Sequence, residues 1–348
     1  MSAACILGCE GTVLGAEERA FFRDVRPFGF ALFKRNIETA DQCRALTDAL
    51  REATGDEDVL IFTDQEGGRV QRLRPPLARN RRPAAPFGEL YARDPEAAVE
   101  AVRLNHQLLA WELSACGINA DFAPCVDLRV PGAHDVIGDR SFAASPSAVA
   151  ALGRAAVDGL LAGGVAPVIK HIPGHGRARA DSHHELPVVD EPLAVLEQTD
   201  FAPFRALADA GMAMTGHVTY SAVDPDHCAT VSHRLIETVI RGFMGFEGLL
   251  MSDDLSMKAL GGSLSDRARR SLEAGCDVVL HGNGALVGEP VRDLFAELRA
   301  VAEASPELTG RAAARAAEAR AVARRVQAFD PEAAERRLAQ LGLEGLTA

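Results

Sequence analysis

Eight short apolar runs, each followed by a longer amphipathic segment, predict an α/β protein whose parallel sheet closes into a (β/α)₈ barrel of TIM type. Three observations carry this expectation. The β and α signals alternate strictly, which implies a parallel sheet with right-handed crossovers. The units number eight, which favours a closed barrel over an open doubly wound sheet. The chain has 348 residues, 47% of them hydrophobic, ample for one large barrel core.

The candidate strands are Cys5–Glu10, Phe28–Phe33, Val59–Thr63, Asn119–Pro124, Ala166–Lys170, Ala213–His217, Gly248–Ser252 and Asp277–His281. Helical patterning occupies Ala40–Ala53, Pro95–Cys116, Pro146–Ala162, Pro192–Ala210 and Ser265–Gly275. Thr39 followed three residues later by Gln42 reads as a capping box. Gly117 and Gly275 stand where helices should hand over to strands. Arg72 to Pro86, rich in Pro and Arg, reads as a long surface loop, and Trp111, in mid-helix, reads as core. No GxGxxG opens the first unit, which weakens a dinucleotide-binding reading. Residues 1–348 are expected to form a single domain, with about 307–348 as a helical C-terminal extension.

Net charge is −12 and the sequence pI about 5.4, so the basic footprint of a nucleic-acid binder is missing. The N-terminus shows no signal-peptide pattern, and no run approaches the roughly 20 apolar residues of a membrane helix. Seven scattered cysteines with no CxxC pair read as buried thiols in a reducing compartment. A cytoplasmic globular protein is expected, with no nucleic-acid or membrane partner, as a monomer or weak homo-oligomer.

Chemistry on a parallel barrel gathers at the C-terminal strand ends. Here nearly every apolar run stops at a titratable group: Asp64 and Glu66, Asp121 and Asp127, Lys170 and His171, His217, Asp253 and Asp254, His281. Asp253 ends a buried run and would be held rigidly, as a nucleophile requires. Asp254 should face the other way, and either carboxylate could instead cap the following helix. In Asp181-Ser182-His183, the two-residue spacing puts carboxylate and imidazole on one side of an extended segment. The carboxylate can then fix the tautomer and raise the proton affinity of the ring, or both groups can simply be solvated. Lys170 ending a strand demands an ionic partner or substrate oxygens. Gly174 and Gly176 suggest a tight backbone path at the pocket rim. Asp64, Arg72 and Arg140 suit forked recognition of vicinal hydroxyls, and the two arginines equally suit structural salt bridges.

Four segments together resemble family 3 glycoside hydrolases, more narrowly the single-domain β-N-acetylglucosaminidases of peptidoglycan recycling. They are Asp64-Gln65-Glu66-Gly67-Gly68-Arg69-Val70-Gln71-Arg72; Val136-Ile137-Gly138-Asp139-Arg140-Ser141-Phe142; Lys170-His171-Ile172-Pro173-Gly174-His175-Gly176 with Asp181-Ser182-His183; and Ser252-Asp253-Asp254-Leu255-Ser256-Met257. The resemblance implies a retaining mechanism with Asp253 as nucleophile, His183 as acid/base and Asp181 as its orienting partner. It implies that Asp64, Arg72, Arg140, Lys170 and His171 hold the sugar hydroxyls, and that no cofactor or metal is needed. The implied substrate is a small N-acetylglucosaminide, naturally N-acetylglucosamine β-1,4-linked to 1,6-anhydro-N-acetylmuramic acid, with or without peptide.

One segment departs from the family pattern: Arg177-Ala178-Arg179-Ala180, which could bind an anionic group or be solvated. Three other readings stay open. Phosphate could replace water as acceptor, held by Arg177 or Arg179. A metal-dependent hydrolase could draw ligands from His171, His175, His183, His184, His217 and Asp253. The chain could also bind sugar without catalysis.

Overall fold

The computed structural model describes residues 2–179, 186–282, 293–323 and 327–343. Eight parallel strands build the barrel: β1 (Ala3–Leu7), β2 (Pro27–Ala31), β3 (Leu60–Thr63), β4 (Ala120–Asp121), β5 (Ala166–Pro167 continuing as Ile169–Ile172), β6 (Met212–Thr215), β7 (Leu249–Asp254) and β8 (Val278–His281). Neighbours run β4-β3-β2-β1-β8-β7-β6-β5. The two halves of β5 close the circle, the first pairing with β4 and the second with β6. Val168 N donates to Asp121 O and Ala123 O at 3.0 and 2.9 Å, and Lys170 N to Pro124 O at 3.1 Å.

Each strand is apolar on both faces because both faces are covered. Alternation sorts them: Ala4, Ile6, Phe28, Leu60, Phe62 and Met251 fill the barrel interior, while Cys5, Leu7, Phe30, Ile61 and Leu250 face the helices. Phe62 and Phe122 stack at 4.9 Å between centroids inside the barrel.

The helices include α1 (Ala16–Val25), α2 (Ala40–Thr54), α3 (Ala85–Tyr91), α4 (Pro95–Ala115), α5 (Pro146–Ala162), α6 (Leu193–Gln198), α7 (Ala202–Ala206), α8 (His233–Leu235, widening into a π-helical turn, Ile236–Phe243), α9 (Leu264–Ala274) and α10 (Leu294–Glu303). Thr39 caps α2 by accepting from Gln42 N, but the Gln42 side chain accepts from Glu38 N and not from Thr39, so the box is half formed. The helix expected over Pro192–Ala210 is broken into α6 and α7. Pro203 has no N–H for a continuing helix, and Asp200 turns inward to meet Arg177.

Two further expectations are corrected. Arg72 to Pro86 is not a surface loop throughout. It follows a hairpin (Gln65–Gly67 with Val70–Gln71), buries Leu73 and Arg81, and enters α3 at Ala85. Gln65 and Gln71 make this possible by satisfying the buried backbone: Gln65 Oε1 accepts from Arg72 N and Leu73 N, and Gln71 Oε1 accepts from Arg81 N. Trp111 is not core but 52% exposed. The buried side of α4 packs on α5 so closely that a Cβ at Gly163 would lie 2.3 Å from Ala110 Cβ, which leaves no room there for an indole.

The C-terminal region forms α11 (Gly310–Val322) and α12 (Pro331–Gln340). Leu308, Ala316 and Ala319 close the N-terminal mouth of the barrel under Ile6 and Phe28. α12 lies on α4, with Leu338 in the core and Arg337 forked onto Glu100. Arg81, 1% exposed, pairs with Glu112 of α4 and, at 2.8 Å, with Glu335 of α12. Removing one member of such a buried ion pair strands the others. Arg81→Ala is expected to destabilise the protein by about 3–5 kcal/mol, measured by urea unfolding.

Candidate active site

The C-terminal strand ends carry a continuous ionic cluster. Lys170, 2% exposed, places its ammonium 2.9 Å from Asp64 Oδ1 and 2.7 Å from Glu66 Oε1. Arg72 Nη2 reaches Asp64 Oδ2 at 2.9 Å. Arg140 forks onto Glu66 through Nε and Nη2 at 2.9 and 2.8 Å. Burial favours neutral forms, yet the paired opposite charges prevail. Beside Lys170 and Arg72, Asp64 is held well below the usual carboxylate range; Glu66, facing Arg140 and Lys170, is lowered to about 2, and the Lys170 ammonium is strengthened in turn.

Five predicted hydroxyl-binding residues, Asp64, Arg72, Arg140, Lys170 and His171, thus meet in one place. The salt-bridge reading of the arginines is what the geometry shows: Arg140 forks onto Glu66 and Arg72 reaches Asp64. Glu66, named from the sequence only as a strand-end acid and given no role, is the anion between Lys170 and Arg140. Its signal was the two-residue spacing from Asp64, which puts both carboxylates on one side of an extended chain.

His171 is oriented from behind. Its Nδ1 donates to Asp127 Oδ2 at 2.6 Å, leaving Nε2 as acceptor, 3.4 Å from Arg140 Nη2. Asp127, fully buried, also accepts from His175 N at 2.6 Å and from His171 N at 3.2 Å. Burial would raise its pKa, but the His171 contact and the backbone donors hold it low. Asp127 was named from the sequence only as a strand-end acid, without a role; it too stands two positions from a partner, Cys125, whose thiol donates to the same carboxylate at 3.2 Å. Cys125, Asp127 and His171 are the one group of His, Cys, Asp or Glu donors among the described residues close enough to hold an ion. These contacts are hydrogen bonds already made. Of the six potential ligands named from the sequence, only His171 belongs to this group.

Asp253 stands half-buried near the end of β7, accepting from Asp254 N at 2.8 Å. Among the described residues it faces no lysine, arginine or histidine within ion-pair distance, whereas Asp64 and Glu66 are held by Lys170, Arg72 and Arg140, and Asp127 and Asp254 by His171 and His281. Its charge reaches His175 and His217, although burial outweighs it and leaves both imidazoles below their usual pKa. Asp254 faces away, as alternation requires. It caps no helix: its oxygens accept from Ser256 N and Gly282 N at 2.8 and 3.1 Å, and α9 is capped by Ser263 instead.

Phe33, after β2, brings an aromatic edge to the rim that the sequence did not suggest. Arg35 and Arg72 lie 5.0 and 6.0 Å from its ring centroid, and a Cβ on Gly282 would strike it at 2.2 Å. The tight path after β5 is also present: Gly174 has φ +141°, and a Cβ on Gly176 would lie 2.1 Å from Leu128 O. Arg177 is committed to Asp200, 2.5 Å from Nε, and donates to Thr199 Oγ1 at 3.2 Å; Arg179 is exposed. Asp181 and His183, expected as the acid/base dyad, lie outside the described residues, as does His184.

A buried cation clamp, an oriented imidazole and one uncompensated carboxylate on a barrel rim suit attack at a sugar carbon. Residues 16–317 match the glycosyl hydrolase family 3 N-terminal domain. The chain belongs to glycoside hydrolase family 3. It is a glycoside hydrolase. It is 46% identical over 283 residues to a beta-hexosaminidase of Alkalilimnicola ehrlichii, covering 79% of each chain. A beta-hexosaminidase of Xanthomonas axonopodis pv. citri is 42% identical over 291 residues, covering 82% of this chain and 86% of that one. Among solved structures, NagZ of Neisseria gonorrhoeae in complex with N-trifluoroacetyl-D-glucosamine superimposes with a TM-score of 0.81 at 32% identity, covering 98% of this chain and 95% of that one. No helix of the described residues is long and apolar enough to cross a membrane.

The Asp127–His171 bond has a measurable consequence. Asp127→Asn exchanges a charge-assisted acceptor for an amide whose N–H₂ would face donors. The loss should be about 1.5–3 kcal/mol in kcat/KM for a chromogenic glycoside, a fall of about 10- to 150-fold, with lowered stability in urea.

Proposed function

We propose that this protein is a retaining β-N-acetylhexosaminidase that removes terminal non-reducing β-linked N-acetylglucosamine. Its natural substrate would be the 1,6-anhydro-muropeptides of cell-wall recycling in the cytoplasm, processed by one catalytic barrel unit. The observation that carries the reading is Asp253, a rim carboxylate that, among the described residues, has no cation beside it amid a cluster of paired ones. A nucleophile needs a free lone pair, and a carboxylate neutralised by lysine or arginine is a poor one. The beta-hexosaminidase relatives and the complex of the Neisseria relative with an N-acylated glucosamine support the substrate class.

In this mechanism Asp253 attacks the anomeric carbon while His183, protonated, gives its proton to the departing oxygen. The glycosyl–Asp253 ester then forms. Neutral His183 next takes a proton from water, the water oxygen bonds to the anomeric carbon, and Asp253 leaves as carboxylate. A histidine in place of the usual second carboxylate adds no second negative charge beside the nucleophile. Asp181 would hold the ring in one tautomer. Asp64, Lys170, His171 and Arg72 would take the sugar hydroxyls, with Arg140 and Glu66 bracing them. The ties of Arg177 to Asp200 and Thr199 favour water over phosphate as the acceptor, since that guanidinium already has its partners.

Incubation with a 2-fluoro or 5-fluoro glycosyl donor, then peptide mass mapping, should place the label on the Asp253 peptide. Label elsewhere, or an active enzyme that takes none, sinks the mechanism. His183→Ala should lower turnover about 10²- to 10⁴-fold for poor leaving groups and much less for activated aryl glycosides. Equal losses on both would remove His183 from the acid role. Activity undiminished by chelator and equal in phosphate and phosphate-free buffer is the third expected outcome.

A further inference from the structure

We propose that His281 is a positioning residue for the nucleophile: wedged between Asp254 of β7 and Glu297 of α10, it locks the bulged end of β7 that presents Asp253 to the sugar. The proposal rests on the assignment of Asp253 above. The register between β7 and β8 carries it. Met251 pairs with Val278, but Asp254 pairs with Leu280, so three steps on β7 match two on β8. One extra residue is therefore accommodated at Ser252–Asp253, a bulge of the kind that re-aims side chains next to active sites. Ser252 Oγ repairs the ladder by accepting from Leu280 N at 3.0 Å, and Leu255 N donates to Leu280 O at 2.9 Å beyond it.

Asp254 fastens this bulge to the end of β8 through Gly282 N and to its own turn through Ser256 N. Behind it sits His281, fully buried on the helix-facing side, with Nδ1 3.6 Å from Asp254 Oδ1 and Nε2 3.2 Å from Glu297 Oε2. A buried imidazole flanked by two carboxylates serves as their shared cation. Burial opposes its charge, but Asp254 and Glu297 prevail and hold its pKa up to about 9. Among the described residues, the other charged or titratable groups facing this triad are Arg35, which donates to Gly282 O at 2.6 Å, Arg267 of α9, Asp253 itself, and His217, whose Nε2 bonds Asp254 O at 3.1 Å.

A pKa raised above the unfolded value, near 6.5, gives a contribution fully present below that pH and lost as pH rises through about 9. Above that point Asp254 and Glu297 face each other across a neutral ring, and the bulge loosens.

The test uses the full chain and a chromogenic β-N-acetylglucosaminide, with kcat and KM followed from pH 6 to 10. His281→Gln should lower kcat about 10-fold or more with KM little changed, and abolish the declining step near pH 9 in the profile for an activated aryl glycoside, whose departure depends little on the His183 proton. Glu297→Gln, which removes one of the two flanking charges, should move that decline to lower pH by about one unit. The rate of labelling by the fluoro donor should fall in His281→Gln while the label stays on Asp253. Native kcat in His281→Gln, or a decline that Glu297→Gln leaves in place, overturns the role of His281 while label on Asp253 preserves the nucleophile. Label on another residue in the native enzyme overturns the nucleophile and this proposal with it. Should His281→Gln fail to fold, the Glu297→Gln profile and NMR titration of the His281 ring in the native protein decide alone: an imidazole that titrates near 6.5 refutes the proposal.

Discussion

The rim of this barrel is organised around one ammonium group. Lys170 is almost wholly buried, and a cation there is stable only with partners that compensate its lost hydration. Asp64 and Glu66 are those partners, and each brings an arginine, Arg72 or Arg140. Arg140 in turn touches His171, which Asp127 holds from the far side. Seven residues from strand ends and the segments that follow them, far apart in sequence, are thereby fixed relative to one another before any sugar arrives. Such preorganisation is what lets a polar pocket act on charge that develops during reaction.

The same economy explains why Asp253 differs from its neighbours. Lys170, Arg72 and Arg140 are engaged by Asp64 and Glu66, and the imidazoles of His171 and His281 by Asp127 and Asp254. Among the described residues, Asp253 instead faces two histidines whose burial lowers their pKa. The pairing of the neighbouring charges, as much as position on the strand, sets Asp253 apart.

Much of this was legible in the sequence because burial on both faces writes apolar runs that are hard to mistake. All eight strands lie within a few residues of their expected places, and α5 matches Pro146–Ala162 residue for residue. The strand-end polar residues announced the rim. What the sequence concealed were features decided by partners distant along the chain. The Arg72–Pro86 segment looks solvent-loving until Gln65, Gln71 and Glu112 supply its contacts. Trp111 is apolar by composition, yet the close α4–α5 approach gives that face to alanine and glycine. Glu66 and Asp127 were visible as letters, but their task depends on Lys170, Arg140 and His171 arriving from elsewhere.

The way the barrel is stoppered bears on how it can be assembled. β1, at residues 3–7, pairs with β8, at residues 278–281, and Ala4 N donates to Pro306 O. The alanines of α11 then seal the opening beneath Ile6 and Phe28. During synthesis, β1 therefore waits on one edge until β8, at residues 278–281, has left the ribosome. Long-range pairing of this kind is slow and leaves an apolar strand edge open for that interval. The arrival of β8 decides when that edge closes, and α11 then covers the apolar floor beneath it.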